Sequence, residues 1–341
     1  MKTQDLLEGY NVVISATDFE EDNSNPGWQV RLGQGQLREI IKHGRYRGHP
    51  ATLIVAGEAD VNLFDSAADW QKYEKIRQTQ NVSLALRAPT VLRAGGTRFN
   101  SQAFDYVIHK KLESNISPVR EIARPSDEEI AKVTLIYWRT YFVFKDFKPP
   151  QLSAPDYFRQ RFDKWFGAEG KPETLSPDEL RTLSRYRDRI IEKAGQPMMV
   201  PSYFFAHFGN TDIRFSSHYY YVLNSPIVER GPIYPPAAWI WNDVLHLVDK
   251  FDADTLLFHC LRWLRGFVNA GSNYFAEAWL AECITLNLLE RLTASILVDL
   301  PHQRSPFKPE MSPSDYMDVK HKLFELMSKI DRTLDHALID I

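Results

Sequence analysis

Cysteine is scarce: Cys260 and Cys283 are the only two in 341 residues. Both fall in apolar, helix-like stretches, which excludes a disulfide framework and predicts buried free thiols in a reducing compartment. Long hydrophobic runs are missing too. No apolar stretch approaches the roughly 20 residues of a membrane span, and Met1-Lys2-Thr3-Gln4-Asp5 leads into no signal-type apolar region. A cytoplasmic protein with no membrane partner is expected. Charge of neither sign dominates: 41 Lys and Arg stand against 44 Asp and Glu, a net charge of −3. That excludes a global basic field, so any nucleic-acid contact has to be a local patch.

Familiar catalytic signatures are also lacking. There is no G-x-S-x-G elbow, no Walker A lysine motif, no His-Glu-x-x-His and no Glu-x-x-His. Gly33-Gln34-Gly35 lacks the third glycine of a dinucleotide loop and reads as a tight turn. No repeat or low-complexity tract is visible. The expectation is a chain without catalytic residues, metal ligands or a cofactor. What the chain does have is apolar and aromatic material. Hydrophobic residues make up 44% and aromatics 13%, enough for a real core and for ring-anchored contacts with a partner.

The spacing predicts an α+β fold, predominantly α-helical, with a mixed region at 1–116 and a helical region at 126–341, packed as two domains or one continuous one. Tyr10 to Ile14 and Ala51 to Val55 are β-branched runs that predict buried strands. Gln36 to Lys42 and Ala67 to Arg77 predict helices, with turns at Gly33/Gly35 and at Gly95-Gly96. Residues 117–125 form a candidate linker. Ser126-Asp127-Glu128-Glu129 and Ser176-Pro177-Asp178-Glu179 are capping boxes, opening one helix to about Phe144 and another that ends at Gly195. Residues 196–236 read as irregular, with a short strand near Tyr219 to Leu223. Helices are expected over Ala237–Lys250, Ala253–Val268 and Tyr274–Val298, and from Ser312 onwards.

The sharpest candidate site is a stripe of cations. Arg181, Arg185, Arg189 and Lys193 recur every four residues, with Arg187 nearby, and share one drifting helix face. Such a stripe would neutralise phosphates, while Tyr203-Phe204-Phe205 and Tyr219-Tyr220-Tyr221 would stack bases, so RNA is the expected partner. The plainer reading is a solvated face with Asp178, Asp188 and Glu192 supplying ion pairs. A second basic cluster, Arg38, Lys42, Arg45 and Arg47 with His43 and His49, reads as a loop after a helix. Arg38 to His43 has the R-x4-H spacing of HEPN ribonucleases, which it resembles in that spacing alone. His246, His259, Glu277 and Glu282 lie on neighbouring predicted helices and would suit a bundle-core metal site. His259, followed by Cys260-Leu261, reads better as a satisfied core histidine.

One stretch resembles a family. The aromatic helix Ala131 to Phe142 is followed by a spacer helix, then Pro197-Met198-Met199-Val200-Pro201-Ser202-Tyr203-Phe204-Phe205, Phe208-Gly209-Asn210 and Tyr219 to Asn224. That order is similar to coat proteins of partitivirus-like double-stranded RNA viruses. The resemblance implies a mainly helical, self-associating shell protein that encloses RNA, located in the virion if viral, with no catalytic residues to carry over. The expected function is therefore a non-enzymatic capsid or nucleocapsid protein, homo-oligomeric and RNA-bound. The alternatives are a HEPN-type ribonuclease or helical-bundle metal enzyme, and a cytoplasmic protein-interaction module of a defence system.

Overall fold

A computed structural model describes residues 3–24, 27–31, 37–57, 71, 86–87, 90–111, 117–118, 126–144, 152–194, 200–203, 213–215, 220–222, 228–231, 234–245, 247–303, 307 and 311–336. The fold is α+β, in two compact units. One comprises Met1–Glu121 with Asn210–Ile227, the other Ile122–Gly209 with Val228–Ile341.

The first unit is a helix on a sheet. Helix α1 (Thr3–Ala16) is followed by β1 (Phe19–Glu21), β2 (Trp28–Arg31), β3 (Leu37–Tyr46), β4 (His49–Gly57), β5 (Leu86–Arg87), β6 (Val91–Phe99), β7 (Gln102–Lys110) and β8 (Ser117–Pro118). The main sheet is antiparallel, in the order β1-β3-β4-β7-β6, with β2 also paired to β3. Two tight hairpins set its register. Arg47 and Gly48 both take positive φ (49° and 78°) between β3 and β4, as do Asn100 and Ser101 (49° and 65°) between β6 and β7. Paired positive-φ residues match the right-handed twist of the strands they join. Leu6, Tyr10 and Val13 of α1 bury against Ile40, Leu53, Val55, Phe104, Tyr106 and Ile108. The opposite face carries Ile41, Ile54, Ala56 and Val107. A smaller sheet runs β5-β11-β10-β8, where β10 is Ile213–Phe215 and β11 is Tyr220–Val222.

Several sequence expectations change here. Tyr10 to Ile14 is helical, because Leu6, Tyr10 and Val13 recur at i, i+4 and i+7 and that apolar face outweighs the β-branched content. Gln36 to Lys42 is not a helix; from Leu37 it is strand, with Ile40 and Ile41 buried on opposite faces of a sheet covered on both sides. The basic cluster from 38 to 49 is thus a hairpin rather than a loop. The R-x4-H spacing from Arg38 to His43 thus falls on a strand rather than on a helix. Gly95-Gly96 lies inside β6, not in a turn. A Cβ on Gly95 would stand 2.8 Å from the Tyr106 hydroxyl, so glycine is needed there for close approach of a ring. Ala51 to Val55 is strand, as expected. The turn at Gly33 and Gly35 and the helix at 67–77, Gln71 apart, lie outside the described residues.

The second unit is helical around a central helix. Its elements are α2 (Asp127–Phe144), α3 (Ala154–Phe166), a 3-10 turn (Pro172–Thr174), α4 (Pro177–Lys193), β9 (Val200–Tyr203), β12 (Val228–Gly231), α5 (Tyr234–Leu245), α6 (Ala253–Gly271), α7 (Glu277–Ala294), a π-helical turn (Ser295–Asp299) and α8 (Pro313–His336). Both capping boxes form. The Ser126 and Ser176 hydroxyls accept from the amides of Glu129 and Glu179, whose carboxylates accept from the serine amides at 2.7 Å. The expected C′ glycine, Gly195, lies outside the described residues. α7 is buried over most of its surface from Leu280 to Ala294, which explains its lack of a polar face. Trp138 of α2 donates its indole N–H to the Phe267 carbonyl of α6 at 2.8 Å, clamping those helices. Both cysteines are free and buried, and burial raises the Cys283 thiol to about 12. No helix among the described residues is long and apolar enough to cross a membrane.

Candidate functional site

Strand pairing assembles a polar constellation on the sheet face away from α1. The register aligns Glu39 with Ala56 and Asp105, Ile41 with Ile54 and Val107, and His43 with Thr52 and His109. Two polar rows therefore flank an apolar one. Glu39, Thr52, Asp105 and His109 are all buried. His43 Nδ1 lies 3.0 Å from Thr52 Oγ1. Neither ring nitrogen of His109 has a hydrogen-bond partner among the described residues. Burial, and secondly the neighbouring His43, press its pKa down to about 4. His109 is thus a neutral imidazole at pH 7.

Arg45 and Arg98 share this face near its two hairpins, and two further cations are held on the other face. Lys42 pairs with Glu21 at 3.9 Å and lies 5.8 Å over the Tyr10 ring. The Tyr10 hydroxyl donates to Glu21; burial first, then that bond, keep it protonated far above the usual tyrosine range. Arg93 lies 5.9 Å over the Tyr106 ring.

The helical unit has its own buried polar cluster. Arg161 of α3 pairs with Glu290 of α7, whose side chain is fully buried. Arg161 also sits over the Tyr157 and Trp165 rings, at 5.3 Å and 4.8 Å. Arg291 continues the ladder, 6.0 Å from Trp165 and 4.3 Å from Trp241, and pairs with Asp299 at 3.3 Å. Trp241 donates to Ser295 Oγ, the first residue of the π-helical turn, at 2.5 Å. Arginine over aromatic faces in a partly desolvated site is worth more than the same contact in water.

The predicted basic stripe is on α4, but its members have different surroundings. Arg189 pairs with Asp331 of α8 at 2.5 Å, and Lys193 with Glu282 of α7 at 3.1 Å, so these two cations fasten α4 to its neighbours. Arg181 pairs with Asp178, Arg187 with Asp188 at 2.8 Å, and Arg185 donates to Thr182 Oγ1 at 3.2 Å. The side chains of the expected stacking aromatics at 203–205 and 219–221 lie outside the described residues, as does His246. Among the described residues no group of three or more His, Cys, Asp and Glu is placed to hold a metal. His259 packs against the rings of Phe251 and Phe258, at 6.0 Å and 5.8 Å.

Sequence reasoning missed both constellations. His43, Thr52 and His109 meet only through strand register, and Arg161 meets Glu290 from 129 positions away. The only local signal was the presence of polar residues inside apolar runs.

No known family model matches the sequence, and no curated protein matches it. Solved structures do match, from end to end. The amicoumacin kinase hAmiN, in complex with AMP-PNP, Ca2+ and Ami, superposes with a TM-score of 0.59 at 15% identity, covering 94% of this chain and 93% of its own. A microcompartment-associated aminopropanol kinase gives 0.57 at 12%, covering 96% and 97%. A thermostable mutant of aminoglycoside phosphotransferase APH(4)-Ia, in ternary complex with ADP and hygromycin B, gives 0.51 at 14%, covering 93% and 97%. This chain has the fold of these kinases. That overturns the resemblance to partitivirus-like coat proteins, and with it the capsid, nucleocapsid and virion assignments. A hydrophobic helix followed by a Pro-and-Phe segment is a pattern of residue types that any α+β core can generate.

Proposed function

We propose that this protein recognises a small molecule bearing hydroxyl and amine groups, as a kinase-fold protein of the small-molecule phosphotransferase type. The observation that carries this reading is the end-to-end fold match to kinases of which two are named for amino-alcohol chemistry, aminopropanol and aminoglycoside. A cationic amine also suits the acid-rich C-terminal third of the chain.

The fold also implies a magnesium nucleotide. Protein kinases hold it with residues in a fixed chain order: a Gly-rich loop, a lysine on the third strand, an Asp-x4-Asn catalytic loop and an Asp-Phe-Gly segment. One piece has a partial counterpart here. Gly33 and Gly35 stand between β2 and β3, with Arg38 at the third glycine position. The rest does not fit. β1 and β2 share the strand position beside β3, which makes β4 the third position, and β4 contains no Lys or Arg. The only Asp-x4-Asn spacing in the chain is Asp18 to Asn23, ahead of the main strands, and Asp-Phe-Gly does not occur. No phosphoryl-transfer step follows from the residues present.

Thermal melting of the full chain against a panel of amino alcohols and aminoglycosides tests the reading. A saturable rise in Tm with at least one member is expected, since a ligand that binds only the folded state stabilises it. A panel of neutral polyols shifting Tm while every amine fails would redirect the ligand class, and no shift with either panel would remove the reading.

A further inference from the structure

We infer that this chain is a kinase fold emptied of its phosphate chemistry: it holds its small molecule without transferring phosphate from a magnesium nucleotide. This rests on the small-molecule reading above. The reason is the chemistry of the sheet. A nucleotide polyphosphate is held by cations in hydrogen-bond reach, and charge-assisted contacts carry most of that attraction. In the third-strand position, β4 offers Ala51, Leu53 and Val55 to one face and Thr52, Ile54 and Ala56 to the other, all buried.

The neighbouring strands do not make up the loss. On the face of Thr52 and Ala56, the flanking positions on β3 and β7 are Glu39, Asp105, His43 and His109: two acids and two histidines, His109 being uncharged at pH 7. Two cations lie further along that face, each towards a hairpin. Arg45 reaches the Gly48 carbonyl at 3.5 Å, and Arg98 on β6, two residues beyond the Gly96 that pairs with Asp105, is exposed; neither is beside Thr52, Ile54 or Ala56. On the α1 face, Lys42 is drawn to Glu21 and Tyr10, and Arg93 to Tyr106. The positions that flank Thr52, Ile54 and Ala56 thus carry no Lys or Arg where a kinase places its phosphate-binding cation.

The test uses the purified full-length chain, its fold verified by its melting transition. ATP and GTP are each titrated at about 1 mM with Mg2+, near the upper end of ordinary substrate affinities. The same mixtures are assayed for ADP or GDP formation with the amine panel as acceptors. The expected result is amine binding that changes less than twofold on adding nucleotide, with no diphosphate above the protein-free control. Diphosphate formed in step with a phosphorylated acceptor would overturn the inference while upholding small-molecule recognition. Magnesium-dependent nucleotide binding below about 1 mM would overturn it as well. No binding of any amine, with no nucleotide turnover, would sink the small-molecule reading and leave the loss of phosphate chemistry standing.

Discussion

Replacing His109 with leucine should flatten the acid limb of the stability profile. In the folded chain this imidazole is 3% exposed and titrates near 4, against 6.5 when unperturbed. Its folded pKa is depressed, so between those values the unfolded chain binds a proton that the folded chain refuses. Stability therefore falls as pH drops below 6.5, and the loss is complete near 4. At about 1.4 kcal/mol per unit, this one group accounts for about 3 kcal/mol. His109→Leu removes the titration and also two ring nitrogens that have no hydrogen-bond partner among the described residues, so at neutral pH the variant should match or exceed the parent. Urea unfolding followed by circular dichroism, at several pH values from about 7 to about 4, reads the difference between the two proteins. The parent should lose about 3 kcal/mol more than the variant over that range. Parallel profiles would refute the claim that a buried neutral imidazole sets this limb.

Arg161→Ala leaves the Glu290 carboxylate buried without its cation and should destabilise the helical unit by about 3–5 kcal/mol, whereas Arg161→Met with Glu290→Met together should recover much of that; thermal melting of both variants decides it. Gly271→Val should also be costly, by about 1–3 kcal/mol, because a Cβ there already meets Leu280 at 2.5 Å and Trp138 at 2.7 Å, and urea midpoints measure it. Ser176→Ala should remove one capping bond from α4 and lower stability by about 1 kcal/mol; an unchanged urea midpoint would show that the cap contributes nothing.

Local chemistry was legible in the sequence and long-range pairing was not. The capping boxes at Ser126 and Ser176 stood out because all their partners lie within three residues. Ala51 to Val55 stood out because a strand buried on both faces is an unbroken apolar run. The same property hid β3, where Ile40 and Ile41 serve opposite faces and leave no alternation to see. Gly95 read as a turn because its cause, the Tyr106 ring, lies on the neighbouring strand. The kinase fold itself was invisible because the residues that usually announce it are missing: β4 has no lysine, and no Asp-x4-Asn follows the sheet. Aromatic and basic residue types then pointed to RNA, although Arg189 and Lys193 turn out to tie α4 to α8 and α7.

Isothermal titration of the full-length chain with an amino alcohol or aminoglycoside, with no nucleotide present, tests the central claim most directly. The account predicts saturable one-site binding that survives removal of Mg2+ by a chelator. Binding seen only when Mg2+ and ATP are both supplied would contradict it.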